Sequence, residues 1–124
     1  MKNKKILFSI ILFFAVLLFS NICMAGDLDV INDYTITVEP RKDGSLDMTY
    51  HLEWKVLDSV SEGPLTWVKI GIPNANVNGI SAISKNIQGI RYYQDGGDFI
   101  RIDFNQSYNE GDVFDIDFKF HQSD

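Results

Sequence analysis

Ser45-Leu46-Asp47-Met48-Thr49-Tyr50-His51-Leu52-Glu53-Trp54-Lys55-Val56 alternates along its whole length. Its even positions are apolar or aromatic, and its odd positions from 47 to 55 are polar or charged. A strand sends successive side chains to opposite faces, so a period of two places all six apolar residues on one side of a sheet. A helix would scatter them around its axis. The stretch predicts a β-strand with one face in a core and the other in water. It carries no chemistry of its own.

Upstream, Tyr34, Ile36 and Val38 alternate with Thr35, Thr37 and Glu39, which predicts a strand over 31–39. Pro40-Arg41-Lys42-Asp43-Gly44 lies between the two strands, and Asp-Gly suits a hairpin turn because glycine tolerates positive φ. Pairing 38 with 46, 36 with 48 and 34 with 50 keeps the apolar residues on one face. Downstream, Leu57 to Pro64 reads as a polar loop and Leu65 to Ile72 as a third strand. Val68, Ile70 and Ile72 take its core side, leaving Leu65, Trp67 and Lys69 on the other. Pro73-Asn74-Ala75-Asn76 ends that strand, since proline cannot donate to a ladder.

Ile80, Ile83, Ile87 and Ile90 have helical spacing, but serine, asparagine and glycine interrupt it. The expectation for Val77 to Gln94 is an irregular or one-turn helical segment leading into a short strand. Asp95-Gly96-Gly97-Asp98 is a hairpin turn, followed by strands over 99–104 and 113–121 with a loop between them. Setting 104 opposite 114 brings Arg101 opposite Asp117, a favourable cross-strand charge pair. About six strands with frequent turns predict an all-β fold, an antiparallel immunoglobulin-like β-sandwich.

Residues 1–25 differ in character from the rest. Lys2, Lys4 and Lys5 precede an apolar run from Ile6 to Phe19 broken by Ser9, and Cys23 and Ala25 stand before Gly26. This is the pattern of a secretory signal peptide cut after Ala25. The run is shorter than the roughly 17–25 apolar residues a membrane span needs. Bulky Ile22 before Cys23 argues against a lipid-attachment site. The remaining segment, 26–124, predicts one domain. Its strand-rich C-terminal end predicts an N-terminal part of a longer protein, because a half-built sandwich would expose an apolar edge.

Cleavage would remove three of the 11 basic residues and the only cysteine. Eight basic residues then stand against 17 acidic ones, a formal charge of −9. A surface so acidic is a poor partner for nucleic acid, and it also disfavours polyanionic wall polymers unless a cation bridges the two. Without cysteine the domain has no internal disulfide and no thiolate metal site.

No nucleophile elbow, phosphate loop or metal signature occurs. His51 and His121 read as solvated surface histidines. Asp103 and Asp115 face each other in the expected pairing with Asp117 nearby, so this acidic group either holds calcium, which wants several oxygen ligands, or is an ordinary solvated face. No cofactor is implied. Trp67 lies off the core side of its strand beside the 57–64 loop. An aromatic there stacks on a sugar or a protein partner, or is covered by other parts of the protein. Tyr92 and Tyr93 admit the same alternatives.

The strings I-N-D-Y-T-I-T-V (31–38), D-G-S-L-D-M-T-Y (43–50) and E-G-P-L-T-W-V-K-I-G-I-P-N (62–74), following a signal segment, resemble the N-terminal region of extracytoplasmic proteins of Gram-positive bacteria. They are similar in character to the predicted-membrane-protein domain of unknown function 2207. That resemblance implies a β-rich domain outside the cell, with membrane attachment through a C-terminal segment absent from this chain. It implies no activity and no functional residue. The expectation is a non-catalytic, secreted or surface-displayed module of the cell envelope with a structural or protein-interaction role. The alternative is a carbohydrate- or peptide-binding module built around Trp67. The envelope partner, protein or glycan, is not identified by the sequence.

Overall fold

A computed structural model describes residues 28 to 123, so the expected signal segment over 1–25 lies outside the described residues. Seven strands follow one another: β1 (Asp29–Pro40), β2 (Leu46–Val56), β3 (Leu65–Gly71), β4 (Val77–Ala82), β5 (Ile87–Gln94), β6 (Asp98–Tyr108) and β7 (Val113–Gln122). They form two antiparallel sheets, β1-β2-β7-β4 and β3-β6-β5. The described chain is all-β, and no helix occurs within it.

The alternation that opened the sequence is realised as expected. Met48, Tyr50, Leu52 and Val56 are buried on one side of β2, while Thr49 on the other side is exposed. Phe114, Ile116, Phe118 and Phe120 of β7 continue that inner face, and Val68, Ile70, Ile100, Ile102, Phe104 and Tyr108 meet it from the three-stranded sheet. Leu52, Ile100, Ile102, Ile116 and Phe118 are fully buried, each stabilising the fold by about 1.5–3 kcal/mol relative to exposure.

The β1–β2 hairpin forms with a different register. Val38 pairs with Met48, Ile36 with Tyr50 and Tyr34 with Leu52, two residues away from the expected pairing. A shift of two keeps every side chain on its own face, so alternation could not distinguish the registers. The turn decides. Gly44, at φ 91°, donates from its N–H to the Arg41 carbonyl, and Arg41 N–H donates to Ser45 O at 2.8 Å. The loop is therefore centred on Asp43.

Two other expectations are corrected. Val77–Gln94 does end in a strand, β5, but a further strand, β4, stands where an irregular or one-turn helical segment was expected. The ladder of β4 shifts register between Asn78 and Ser81, beside Gly79 at φ 61°, and that of β5 shifts between Ile87 and Gly89. A bulge inserts one residue and lets Ile87 and Ile90, three apart, both pack against the core. Bulged strands thus imitated a helical period. Leu65 is corrected for the same reason: a register shift between Leu65 and Trp67 turns it back to the core.

The β6–β7 ladder does not exist. β6 lies between β3 and β5, and β7 between β2 and β4. Residues 109–112 carry the chain from one sheet to the other, pinned to β2 by Gly111 N–H donating to Val56 O at 2.8 Å and Val56 N–H donating to Asp112 O at 3.0 Å. Phe104 and Phe114 do meet, with ring centroids 5.2 Å apart, but they meet across the core between the sheets. Tyr108 stacks on Phe114 at 3.6 Å in the same place. Arg101 and Asp117 consequently lie on opposite outer faces.

The four-stranded and three-stranded layering matches an immunoglobulin constant domain in strand number, but the strand order differs. In that arrangement the fifth strand belongs to the larger sheet and the seventh to the smaller. Here those two places are exchanged.

Candidate functional site

Burial of Ile100 and Ile102 turns Phe99, Arg101 and Asp103 of β6 outward. Register then fixes their neighbours. Asp103 has Trp67 on one side and Gly89 on the other, Arg101 has Lys69 and Arg91, and Phe99 has Gly71 and Tyr93. Three aromatic residues, three cations and one carboxylate thus share one face.

Arg101 sits at its centre. Its guanidinium lies 4.0 Å from the Trp67 ring centroid and 5.6 Å from that of Tyr93. The Trp67 and Tyr93 rings meet edge to face at 6.1 Å, so together they cover the arginine between them. Arg101 donates to Asp103 from Nη2 at 3.0 Å and from Nε at 3.3 Å. This hydrogen bond raises the guanidinium pKa above its usual range, with burial opposing. A cation over an aromatic face and against a carboxylate holds its position well, which makes the group a rigid platform.

The flanks repeat the theme. Lys69 Nζ donates to Asp95 at 2.9 Å and lies 4.6 Å from the Phe99 ring. Arg91 lies 5.2 Å from the Tyr93 ring. Gly71 leaves open space beside Phe99, where a β-carbon would touch nothing within 4 Å. Trp67 remains 37% exposed, which leaves a large aromatic surface in solvent. Beneath it a cavity of about 300 Å³ opens against the 57–64 loop, walled by Leu28, Asp29, Asp58, Glu62, Pro64 and Trp67. Burial pushes the Asp29 carboxyl up; the Trp54 N–H pulls the other way, and the charge of Glu62 adds a smaller rise.

Of the residues singled out from sequence, Trp67 and Tyr93 come together, and Tyr92 does not join them. Tyr92 pairs with Ile100 on the other side of β5 and donates its hydroxyl to Asp98. The acidic group is split: Asp103 belongs to this platform, while Asp115 and Asp117 project from the opposite sheet. Among the described residues no three histidine, cysteine or acidic side chains converge as a metal site would require. The expected Asp103–Asp115 pairing failed because it assumed the β6–β7 ladder.

The outer face of the four-stranded sheet holds a feature that sequence reasoning missed. Asp47 and His51 on β2 stand four apart, as do Asp117 and His121 on β7. Antiparallel pairing sets His51 against Asp117 and His121 against Asp47. His51 Nδ1 lies 2.5 Å from Asp117 and its Nε2 3.7 Å from Asp33, and His121 Nδ1 lies 3.1 Å from Asp47. The hydrogen bond to Asp117 is the main cause of a raised His51 pKa. Carboxylates face both ring nitrogens of His51. A serine nucleophile would have to sit at Nε2, and Ser84 instead accepts the Asp117 N–H through Oγ at 3.0 Å. The repeated four-residue spacing was the available signal, but it becomes a pair only once β2 and β7 are known to be neighbours.

In comparison with known proteins, the chain matches no family model, no curated protein and no solved structure.

Proposed function

We propose that this chain is a non-catalytic, exported β-sandwich module of the bacterial cell envelope that works by adhesion. It is immunoglobulin-like in layering and size. The observation that carries the interaction role is the Trp67–Arg101–Tyr93 stack on the outer face of the three-stranded sheet. An exposed indole and a part-buried tyrosine ring held in place by a paired arginine are the chemistry of a binding surface, since they offer large contact area at low cost in side-chain entropy. The signal-like segment over 1–25 and the resemblance to extracytoplasmic domains support export. By that resemblance, attachment to the membrane would come from a further C-terminal segment.

A second reading, a carbohydrate-binding module, is favoured by one particular observation. The rings of Trp67 and Tyr93 share their face with Lys69 and Asp103, residue types that are depleted at the core of a protein-docking face. The test for both is binding of the exported protein to glycan and wall-fragment arrays, with Trp67→Ala as the variant. Binding should fall at least about ten-fold while the far-UV circular dichroism is unchanged. Undiminished binding by Trp67→Ala would remove this face from consideration.

A further inference from the structure

We propose that the platform takes an anionic saccharide, with its sugar rings on Trp67 and Tyr93 and its carboxylate or phosphate on Arg91. The proposal rests on the carbohydrate reading above and names the ligand's chemistry.

Charge distribution is the first ground. A formal charge of −9 over 26–124 sets the chain as a whole against polyanions, but net charge averages over faces that a ligand meets one at a time. Lys69, Arg101 and Arg91 occupy successive places in one cross-strand row. Like charges set directly opposite destabilise a sheet. Two of the three are relieved, Lys69 by Asp95 and Arg101 by Asp103. Arg91 meets the ring of Tyr93 and no carboxylate among the described residues. It stands exposed on β5, at the edge of the sheet, and its guanidinium fork matches a carboxylate or phosphate.

The second ground is the polarity of the face. Asp29, Asp58 and Glu62 line the cavity next to Trp67, at the β3 end of the platform. An oxyanion is repelled there and drawn toward Arg91 on the opposite edge. A sugar chain crossing from β3 to β5 thus presents neutral ring surface to Trp67 and then Tyr93, and its charge to Arg91. Lys69 and Arg101 add attraction but are already engaged, so Arg91 supplies the discrimination.

Three probes of equal length test this on the full protein by calorimetric titration: an oligogalacturonate, a phosphorylated gluco-oligosaccharide and a neutral gluco-oligosaccharide. At least one anionic probe should bind ten-fold more tightly than the neutral one at low salt, and the preference should shrink as salt rises. Arg91→Gln should bring that probe down to the neutral affinity, Trp67→Ala should weaken every probe, and Lys119→Gln, on the other sheet, should change nothing. The anionic probe that binds tells carboxylate from phosphate. Equal affinity for neutral and anionic probes would overturn the charge assignment and leave the carbohydrate reading standing. Anionic preference that survives Arg91→Gln, in a variant whose amide spectrum matches the parent, would overturn the placement. Failure of all three probes would overturn both readings.

Discussion

The two outer faces of the sandwich rest on the same core and differ in almost everything else. On the four-stranded sheet, Asp47, Thr49, His51, Asp117, Lys119 and His121 form a polar surface whose histidines and carboxylates satisfy one another across the β2–β7 ladder. On the three-stranded sheet, aromatic rings and cations stack instead, and the Trp67 ring and the Arg91 charge are left over for something else. A face whose polar groups are mutually paired has little to offer a partner. One with an exposed indole and an uncompensated guanidinium has both apolar area and charge to give. The difference supports the proposal that binding belongs to the smaller sheet, with the larger one as scaffold.

The contrast holds only if one core carries both faces, and Phe118→Ala is the severest way to break it. Phe118 is fully buried beneath the four-stranded sheet and stacks on Tyr50 at 4.9 Å. Its truncation should cost about 3–5 kcal/mol in denaturant unfolding. The indole resonances of Trp54 and Trp67 should disappear together; separate transitions would mean that the sheets unfold as independent units.

A smaller effect is expected where the chain crosses between sheets. Asn86 Nδ2 donates to the Tyr108 hydroxyl at 3.0 Å and to the Asp115 carbonyl at 3.0 Å, linking β6 to β7. Asn86→Ala should destabilise by about 1–3 kcal/mol, because both acceptors lose their partner. A midpoint equal to the parent's would show that the link does not hold the sheets together.

The smallest effect sharpens the comparison by pH. His51 has a raised pKa, chiefly through Asp117, so its contribution is complete below its unfolded value near 6.5 and is lost as pH rises through the folded one. Stability should therefore fall from pH 6 toward pH 8.5 by less than about 1 kcal/mol, as suits a half-exposed pair. His51→Gln should flatten that fall, and Lys69→Gln on the other face should not. A slope unchanged by His51→Gln would assign the pH dependence to other groups.

What the sequence made legible follows the period of each strand. β2, β3 and β7 alternate cleanly, and their faces were read correctly apart from Leu65. β4 and β5 are bulged, and a bulge erases the period on which such reading depends. Register and neighbours were harder still, because alternation is blind to shifts of two and says nothing about which sheet a strand joins. Phe104 and Phe114 were expected as ladder partners and instead meet across the core, because an apolar contact looks alike from sequence in either arrangement. Trp67 was visible as a residue on the wrong side of its strand. Tyr93 could not be told from Tyr92, nor could Arg101 be given its place, until β6 was known to lie between β3 and β5.

The position of β7 has a consequence for synthesis. It fills the slot between β2 and β4, both of which precede it in the chain. Until residues 113–122 emerge and dock, each of those strands keeps a row of unpaired backbone groups, and Asn86 has no Asp115 carbonyl to grip. Such long-range pairing closes slowly, since chain entropy is lost before the contacts form. The larger sheet is therefore completed only once β7 has emerged, and β2 and β4 stay open-edged until it docks.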